Sequence, residues 1–138
     1  MKILVDTSAW SLALRRPTTA PLNEAQKKSV VVLGDLVRDG RAVLMGAIRQ
    51  ELLSGIKLHA QFETLRNALT AFEDIALTRQ DYELAAQLFN TCRSKGVQGS
   101  NTDFLICATS INHALPILSM DNDFVNYQRY LPIRLFTD

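Results

Sequence analysis

Met1-Lys2-Ile3-Leu4-Val5-Asp6-Thr7-Ser8 decides the fold. Three apolar residues in a row, two of them β-branched, read as a strand covered on both faces, the kind found in the middle of a parallel sheet. Asp6 ends the run, and Thr7 or Ser8 can cap a helix through Ala9-Trp10-Ser11-Leu12-Ala13-Leu14. A carboxylate therefore stands at a strand-to-helix turn, on the edge of an open α/β sheet where ligands bind. Alone, Asp6 need be no more than a helix cap. Its meaning depends on what the rest of the chain places beside it.

Working outward, Arg15-Arg16-Pro17-Thr18-Thr19-Ala20-Pro21 breaks the helical pattern with two prolines and makes a loop carrying adjacent positive charges. Asn23 can cap a helix over residues 24–38, with Val30, Leu33 and Val37 at helical spacing and Asp39-Gly40 as its end. Ala42-Val43-Leu44-Met45 reads as a second buried strand, and Gly46 turns the chain into a short helix ended by Ser54-Gly55. Residues 58–72 form an amphipathic helix with Leu58, Phe62, Leu65, Leu69 and Phe72 on one face, and Ile75-Ala76-Leu77 a weak third strand. Thr78 caps a helix to residue 93 with Tyr82, Leu84, Ala85, Leu88 and Phe89 as its core face.

Two glycines in Ser94-Lys95-Gly96-Val97-Gln98-Gly99-Ser100-Asn101 end it, and Thr102 caps a helix from Asp103 to Ile111 that is apolar nearly all round. Pro116-Ile117-Leu118-Ser119-Met120 is a strand with Asp121-Asn122-Asp123-Phe124 at its end, and Ile133-Arg134-Leu135-Phe136 a last short strand. Strands alternating with helices give an α/β architecture with a mostly parallel sheet and right-handed crossovers, one domain over residues 1–138.

Composition narrows the function classes. At 138 residues, 47% hydrophobic and 21% charged, the chain is of ordinary globular type and needs neither disulfide nor structural metal to fold. Fifteen basic residues against fourteen acids give a net charge of +1, so a nucleic-acid surface must be local. No apolar run approaches the roughly 20 residues of a membrane span and no signal-peptide layout opens the chain, so a cytoplasmic location is expected. Cys92 and Cys107 lack metal-type spacing and read as free thiols.

Most of the acids, Asp81 among them, fall in polar surroundings, but five do not. Asp6 follows Ile-Leu-Val, Glu51 sits among Ile48, Leu52 and Leu53, Asp103 opens a buried helix, and Asp121 and Asp123 end a buried strand. Gathered at one sheet edge, such carboxylates are opposed by desolvation and mutual repulsion, which a divalent cation removes. Oxygen ligands without His or Cys favour Mg²⁺ or Mn²⁺ over Zn²⁺. Such a site suits phosphodiester hydrolysis, where one metal activates a water and a second, about 4 Å away, steadies the leaving oxygen. Taken singly, each acid could equally be a cap or a first-turn residue favoured by the helix dipole.

Asp6-Thr7-Ser8, Gln50-Glu51-Leu52-Leu53-Ser54-Gly55, Thr102-Asp103-Phe104-Leu105-Ile106-Cys107-Ala108 and Ser119-Met120-Asp121-Asn122-Asp123-Phe124 together resemble a PIN-domain ribonuclease, specifically the toxin of a VapBC-type toxin–antitoxin pair. The resemblance spans the whole chain, with Ser119 where Thr is frequent and Cys107 where Ala is. Residue by residue, Asp6, Glu51, Asp103 and Asp121 match the family's acidic quartet and Asp123 its additional acid, with Asp6, Asp103 and Asp121 expected to hold metal. The resemblance implies a three-layer α/β/α sandwich and a Mg²⁺-dependent endoribonuclease (Mn²⁺ a possible substitute), usually dimeric and held inactive by a VapB-type antitoxin. Alternatives are a PIN nuclease in RNA processing without an antitoxin, and, in another class, a Mg²⁺-binding receiver-like module. A receiver, however, is expected to carry a late strand-end Lys that this chain lacks.

Arg15 and Arg16 are the best candidates for RNA phosphate contacts, against the plainer reading of a solvated loop, with Lys95 a weaker one. Trp10 reads as core, as base platform or as one wall of a groove for an antitoxin helix, and His59 and His113 as structural or exposed. Replacing Arg15 and Arg16 together with Ala is expected to weaken RNA binding and flatten its salt dependence, because each phosphate contact releases counterions. Affinity measured across a salt series checks this, and an unchanged slope would mean the two are merely solvated.

Overall fold

The computed structural model describes residues 1–14 and 21–137, so Arg15 and Arg16 lie outside the described residues. Ile3–Val5 forms β1, and all three side chains are fully buried. It is the central strand of a three-stranded parallel sheet, between β2 (Ala42–Val43) and β3 (Ile117–Leu118). Ile3 pairs with Ala42 and Leu4 with Val43 on one side; Leu4 pairs with Ile117 and Val5 with Leu118 on the other. An uninterrupted apolar triplet fits only that place, because a central strand with helices on both faces has no wet side.

The helices are α1 (Thr7–Leu14), α2 (Glu24–Arg38), α3 (Gly46–Leu53), α4 (His59–Leu69), α5 (Arg79–Ser94), α6 (Asn101–His113) and α7 (Asp123–Gln128). They pack as two groups, α1 to α4 in one and α5 against α6 in the other, consistent with a three-layer sandwich. The α2 start is the expected Asn23, in a reciprocal capping box with Gln26. Cys92 and Cys107 are both free and buried. Among the described residues no helix is long and apolar enough to cross a membrane.

Several elements depart from the sequence pattern, each for a local reason. Ile75-Ala76-Leu77 and Ile133-Arg134-Leu135-Phe136 reduce to isolated parallel bridges, Leu44 with Asp74 and Ile117 with Leu135, because each segment meets the sheet at its outer edge. The α6 cap is Ser100, two residues before Thr102. Leu58 precedes α4 and is largely exposed. On α5 the buried stripe is Asp81, Ala85, Leu88 and Cys92; Tyr82, one position on, is turned about 100° from it and is exposed. The short helix α7 was not expected, although Phe124, Tyr127 and Leu131, all buried, have helical spacing.

Asp81 is therefore not the solvated acid its neighbours in sequence suggest: it is 1% exposed. Its carboxylate accepts from the Thr78 N–H at 2.9 Å and the Asn112 amide at 2.8 Å, and His113 Nε2 lies 3.3 Å away, so it ties the start of α5 to the end of α6. Burial pushes its carboxyl up, but the Thr78, Asn112 and His113 donors outweigh burial and hold it below the ordinary 3.8. Asp81→Ala should cost about 2 kcal/mol, since it removes a cap partner and leaves buried donors unpaired. A carboxyl with a lowered folded value contributes stability fully above its unfolded value and loses it as pH falls through the folded one. The urea midpoints of wild type and Asp81→Asn should therefore draw together as pH falls from the ordinary carboxyl value of 3.8 through the lower folded one, whereas parallel profiles would show that another group governs the acid limb.

Candidate functional site

β1 delivers Asp6 to the sheet edge. Its N–H donates to Leu118 O at 2.8 Å, continuing the β1–β3 ladder, while its carbonyl accepts from the Ala9 and Trp10 N–H groups at 3.1 and 3.3 Å and so starts α1. Asp6 is thus a backbone cap as well as a site residue. Its side chain is 4% exposed, and two hydroxyls, Ser8 Oγ and Ser119 Oγ, each donate to Oδ2 at 2.8 Å. The same hydroxyl oxygens accept from the chain beyond β3: Ser8 Oγ from Met120 N–H and Ser119 Oγ from Asp121 N–H, both at 2.9 Å. One carboxylate and two serines therefore fix the turn that presents Asp121.

Asp121 Oδ1 in turn accepts the Asp123 N–H at 2.9 Å, at the first residue of α7. Asp103 lies in the first turn of α6, where its N–H donates to the Ser100 cap at 3.0 Å and its Oδ2 accepts the Tyr127 hydroxyl at 2.6 Å. One carboxylate oxygen from each of Asp103, Asp121 and Asp123 falls within 4.8 Å of the others. Asp6 adjoins this group through Ser119 and through its charge, which acts on Asp103. Glu51, on α3, accepts the Thr7 hydroxyl at 2.6 Å, one residue along from Asp6. The structure thus brings all five expected acids to one edge. The tight group, however, has Asp123 where Asp6 was expected.

The electrostatics show what the arrangement costs. Burial pushes the Asp6 carboxyl up, against the Ser119 and Ser8 hydroxyls and the Thr7 and Ser8 N–H groups. Asp103 is raised first by burial, opposed by the Tyr127 hydroxyl, and raised again by the charges of Asp6 and Asp121. Among the described residues no Lys or Arg pairs with Asp6, Asp103, Asp121 or Asp123. Crowded carboxylates with no protein cation and with oxygen donors only fit a hard divalent cation. Cys107, fully buried, is pushed far up by burial and then by Asp103, which leaves it a protonated thiol and no nucleophile.

The motifs contain Ser8 and Ser119, but their hydroxyls were not singled out as the groups that hold Asp6. Tyr127 was missed because no element was expected around it. Its signal was the spacing of Phe124, Tyr127 and Leu131 after an acidic strand end. Trp10 is core, 1% exposed with its ring edge-on to Phe72 at 5.0 Å, and its indole N–H finds no acceptor among the described residues.

The chain belongs to the PIN-domain family, whose model matches residues 3–130. Solved structures share the fold at low identity. FitAcB from Neisseria gonorrhoeae is 20% identical over 98% of this chain and 96% of its own, at a TM-score of 0.73. VapBC2 from Rickettsia felis, bound to a DNA fragment from their promoter, is 17% identical over 99% and 98%, at a TM-score of 0.75. VapBC-5 from Mycobacterium tuberculosis, a member of the VapBC family of toxin–antitoxin systems, is 19% identical over 99% and 98%, at 0.68. No curated protein matches the chain in sequence. Membership of the PIN family replaces the receiver-like alternative.

Because Asp6 and Asp103 are raised, their ionisation subtracts stability as pH rises through the folded values, and the cost is complete above them. Asp103→Asn keeps the shape and removes one charge, so near neutral pH without divalent cation it should equal or exceed wild type by about 1 kcal/mol. Mg²⁺ should raise the melting temperature of wild type and do much less for the variant. An Asp103 that only favours the start of its helix through the dipole predicts equal responses to Mg²⁺ in the two proteins.

Proposed function

We propose that the chain is the toxin of a type II toxin–antitoxin pair: an endoribonuclease that hydrolyses RNA phosphodiester bonds with Mg²⁺, for which Mn²⁺ can substitute. The observation that supports this most is the convergence of Asp103, Asp121 and Asp123 beside the buried Asp6 in a PIN domain, with no protein cation paired to them among the described residues. Asp6, Asp103 and Asp121 are the proposed ligands; Asp123, whose carboxylate falls within 4.8 Å of those of Asp103 and Asp121, would assist in holding the cation, and Glu51 would complete the catalytic set. When bound, the cation supplies the positive charge that lets a water ionise near neutral pH and offsets charge building on the phosphate.

The protein's own part is positioning. Ser8 and Ser119 hold Asp6 in one orientation, Ser119 also fixes the backbone before Asp121, and Asp121 holds the first residue of α7. Such prepositioned acids need no rearrangement as the scissile phosphate arrives. Glu51, exposed and accepting the Thr7 hydroxyl, is the acid proposed for the margin of the site. Arg15 and Arg16 follow α1 in sequence and are the proposed phosphate contacts. The low net charge of +1 agrees with a local basic patch in place of a basic surface throughout.

An antitoxin partner is supported by the kind of assemblies the similar folds come from, VapBC and FitAcB among them. A homodimer and a cytoplasmic location belong to the same reading. A processing nuclease without an antitoxin is the alternative, separated by whether expression arrests growth and a neighbouring small reading frame relieves it.

Purified alone, the protein should cut single-stranded RNA with Mg²⁺ or Mn²⁺ and stop with chelator, and Asp121→Asn should lower the rate by about 100-fold or more. Gel analysis of RNA products with and without chelator checks this. Cutting that survives chelation and Asp121→Asn overturns the proposal.

A further inference from the structure

Among the described residues, Tyr127 is the aromatic side chain that joins the hydrophobic core to the acidic group by a hydrogen bond. Its ring is fully buried, 5.0 Å from the Phe104 ring and 5.3 Å from the Phe124 ring, yet it ends in a hydroxyl that donates to Asp103 Oδ2 at 2.6 Å. Phenylalanine would fill that volume without a polar atom to satisfy, so packing alone does not account for a buried phenol; a buried hydroxyl is tolerable only with a partner. That partner is a carboxylate of the acidic cluster.

A second observation, on a different segment, concerns the same ring. A Cβ built on Gly99 would overlap the Tyr127 hydroxyl and lie 2.8 Å from its Cζ and 3.0 Å from a Phe104 ring carbon. A side chain at position 99 would therefore force the phenol or the segment carrying Gly99 to shift. Gly99 stands just before the Ser100 cap of α6, so the segment that starts Asp103's helix also seats the tyrosine that reaches Asp103 from α7. The backbone of α6 fixes where Asp103 starts, through its N–H on Ser100, but not how its carboxylate is turned. The phenol supplies that restraint.

We propose that Tyr127, seated by Gly99, is a positioning residue that holds the Asp103 carboxylate in the orientation in which it can share a divalent cation with Asp121 and Asp123. The assignment rests on the metal-site reading above. It goes beyond that reading by naming a residue outside the acidic motifs that sets the site's affinity. Outer-shell groups that orient a ligand typically change metal affinity by about 10- to 100-fold when removed.

The test is Mn²⁺ binding by the full chain without RNA, followed by the loss of the free-ion electron paramagnetic resonance signal. Wild type should bind. Tyr127→Phe, which keeps the ring, should bind about tenfold more weakly, with an unchanged far-ultraviolet circular dichroism spectrum. Gly99→Ala should weaken binding as well, and the double variant should be no weaker than Tyr127→Phe alone, because both changes act through one hydroxyl. Phe89→Leu, which disturbs the Phe89–Phe104 contact at 5.5 Å, should lower the melting temperature and leave Mn²⁺ affinity intact. Should Gly99→Ala fail to fold, Tyr127→Phe decides alone. Wild-type affinity in Tyr127→Phe overturns the assignment and leaves the metal site standing, whereas a wild-type chain that binds no Mn²⁺ overturns the metal-site reading and this assignment with it.

Discussion

The hydrogen bonds from Ser8 and Ser119 to the Asp6 carboxylate join the turn after β1 to the turn after β3 at the place where a buried charge meets the edge of the sheet. β1 is buried along its whole length, so its terminal acid inherits a low-polarity environment. Without donors that acid would be neutral or would weaken the fold. The two hydroxyls that hold it also accept the backbone N–H groups of Met120 and Asp121, so the restraint on Asp6 and the geometry of the next acid cannot be set independently. The rest of the site is attached in sequence to that turn: Asp121 holds Asp123, α7 starts there, and Tyr127 reaches back to Asp103.

The buried and half-buried acids of this protein show two opposite solutions to the same problem. Asp81 is surrounded by donors from Thr78, Asn112 and His113, and its ionised form strengthens the contact of α5 with α6. Asp6 and Asp103 also have donors, but burial exceeds them, and for Asp103 neighbouring carboxylates add to it. The first arrangement serves the fold. The second leaves an electrostatic demand that a bound cation can meet, which is the usual trade between a stable site and a working one.

Much of this was legible in the chain because it depends on local chemistry. Ile3-Leu4-Val5 announced a central strand, Asn23 announced α2, and of the acids in the motifs Asp103, Asp121 and Asp123 come close together with Asp6 beside them through Ser119. The parts that were not legible depend on tertiary neighbours. Asp81 looks solvated beside Asp6-like acids until α6 supplies Asn112 and His113. The segments near Ile75 and Ile133 have strand composition but only one edge to pair with, and each forms a single bridge. Asp123 enters the tight acidic group because α7 begins at it, and α7 was hidden by its shortness.

The position of β1 between β2 and β3 has a further consequence for the order in which the protein comes into being. Of the three strands the first in chain order is the central one, and it waits for Ile117 and Leu118 before its second side is paired. Asp6 likewise waits for Ser119, and Asp103 for Tyr127. Acids synthesised early thus remain spread along an unfinished chain, and they are assembled only after the segment through Tyr127 has emerged and the long-range pairing has closed. A nascent chain of this architecture therefore keeps its acids apart until the segment through Tyr127 is in place.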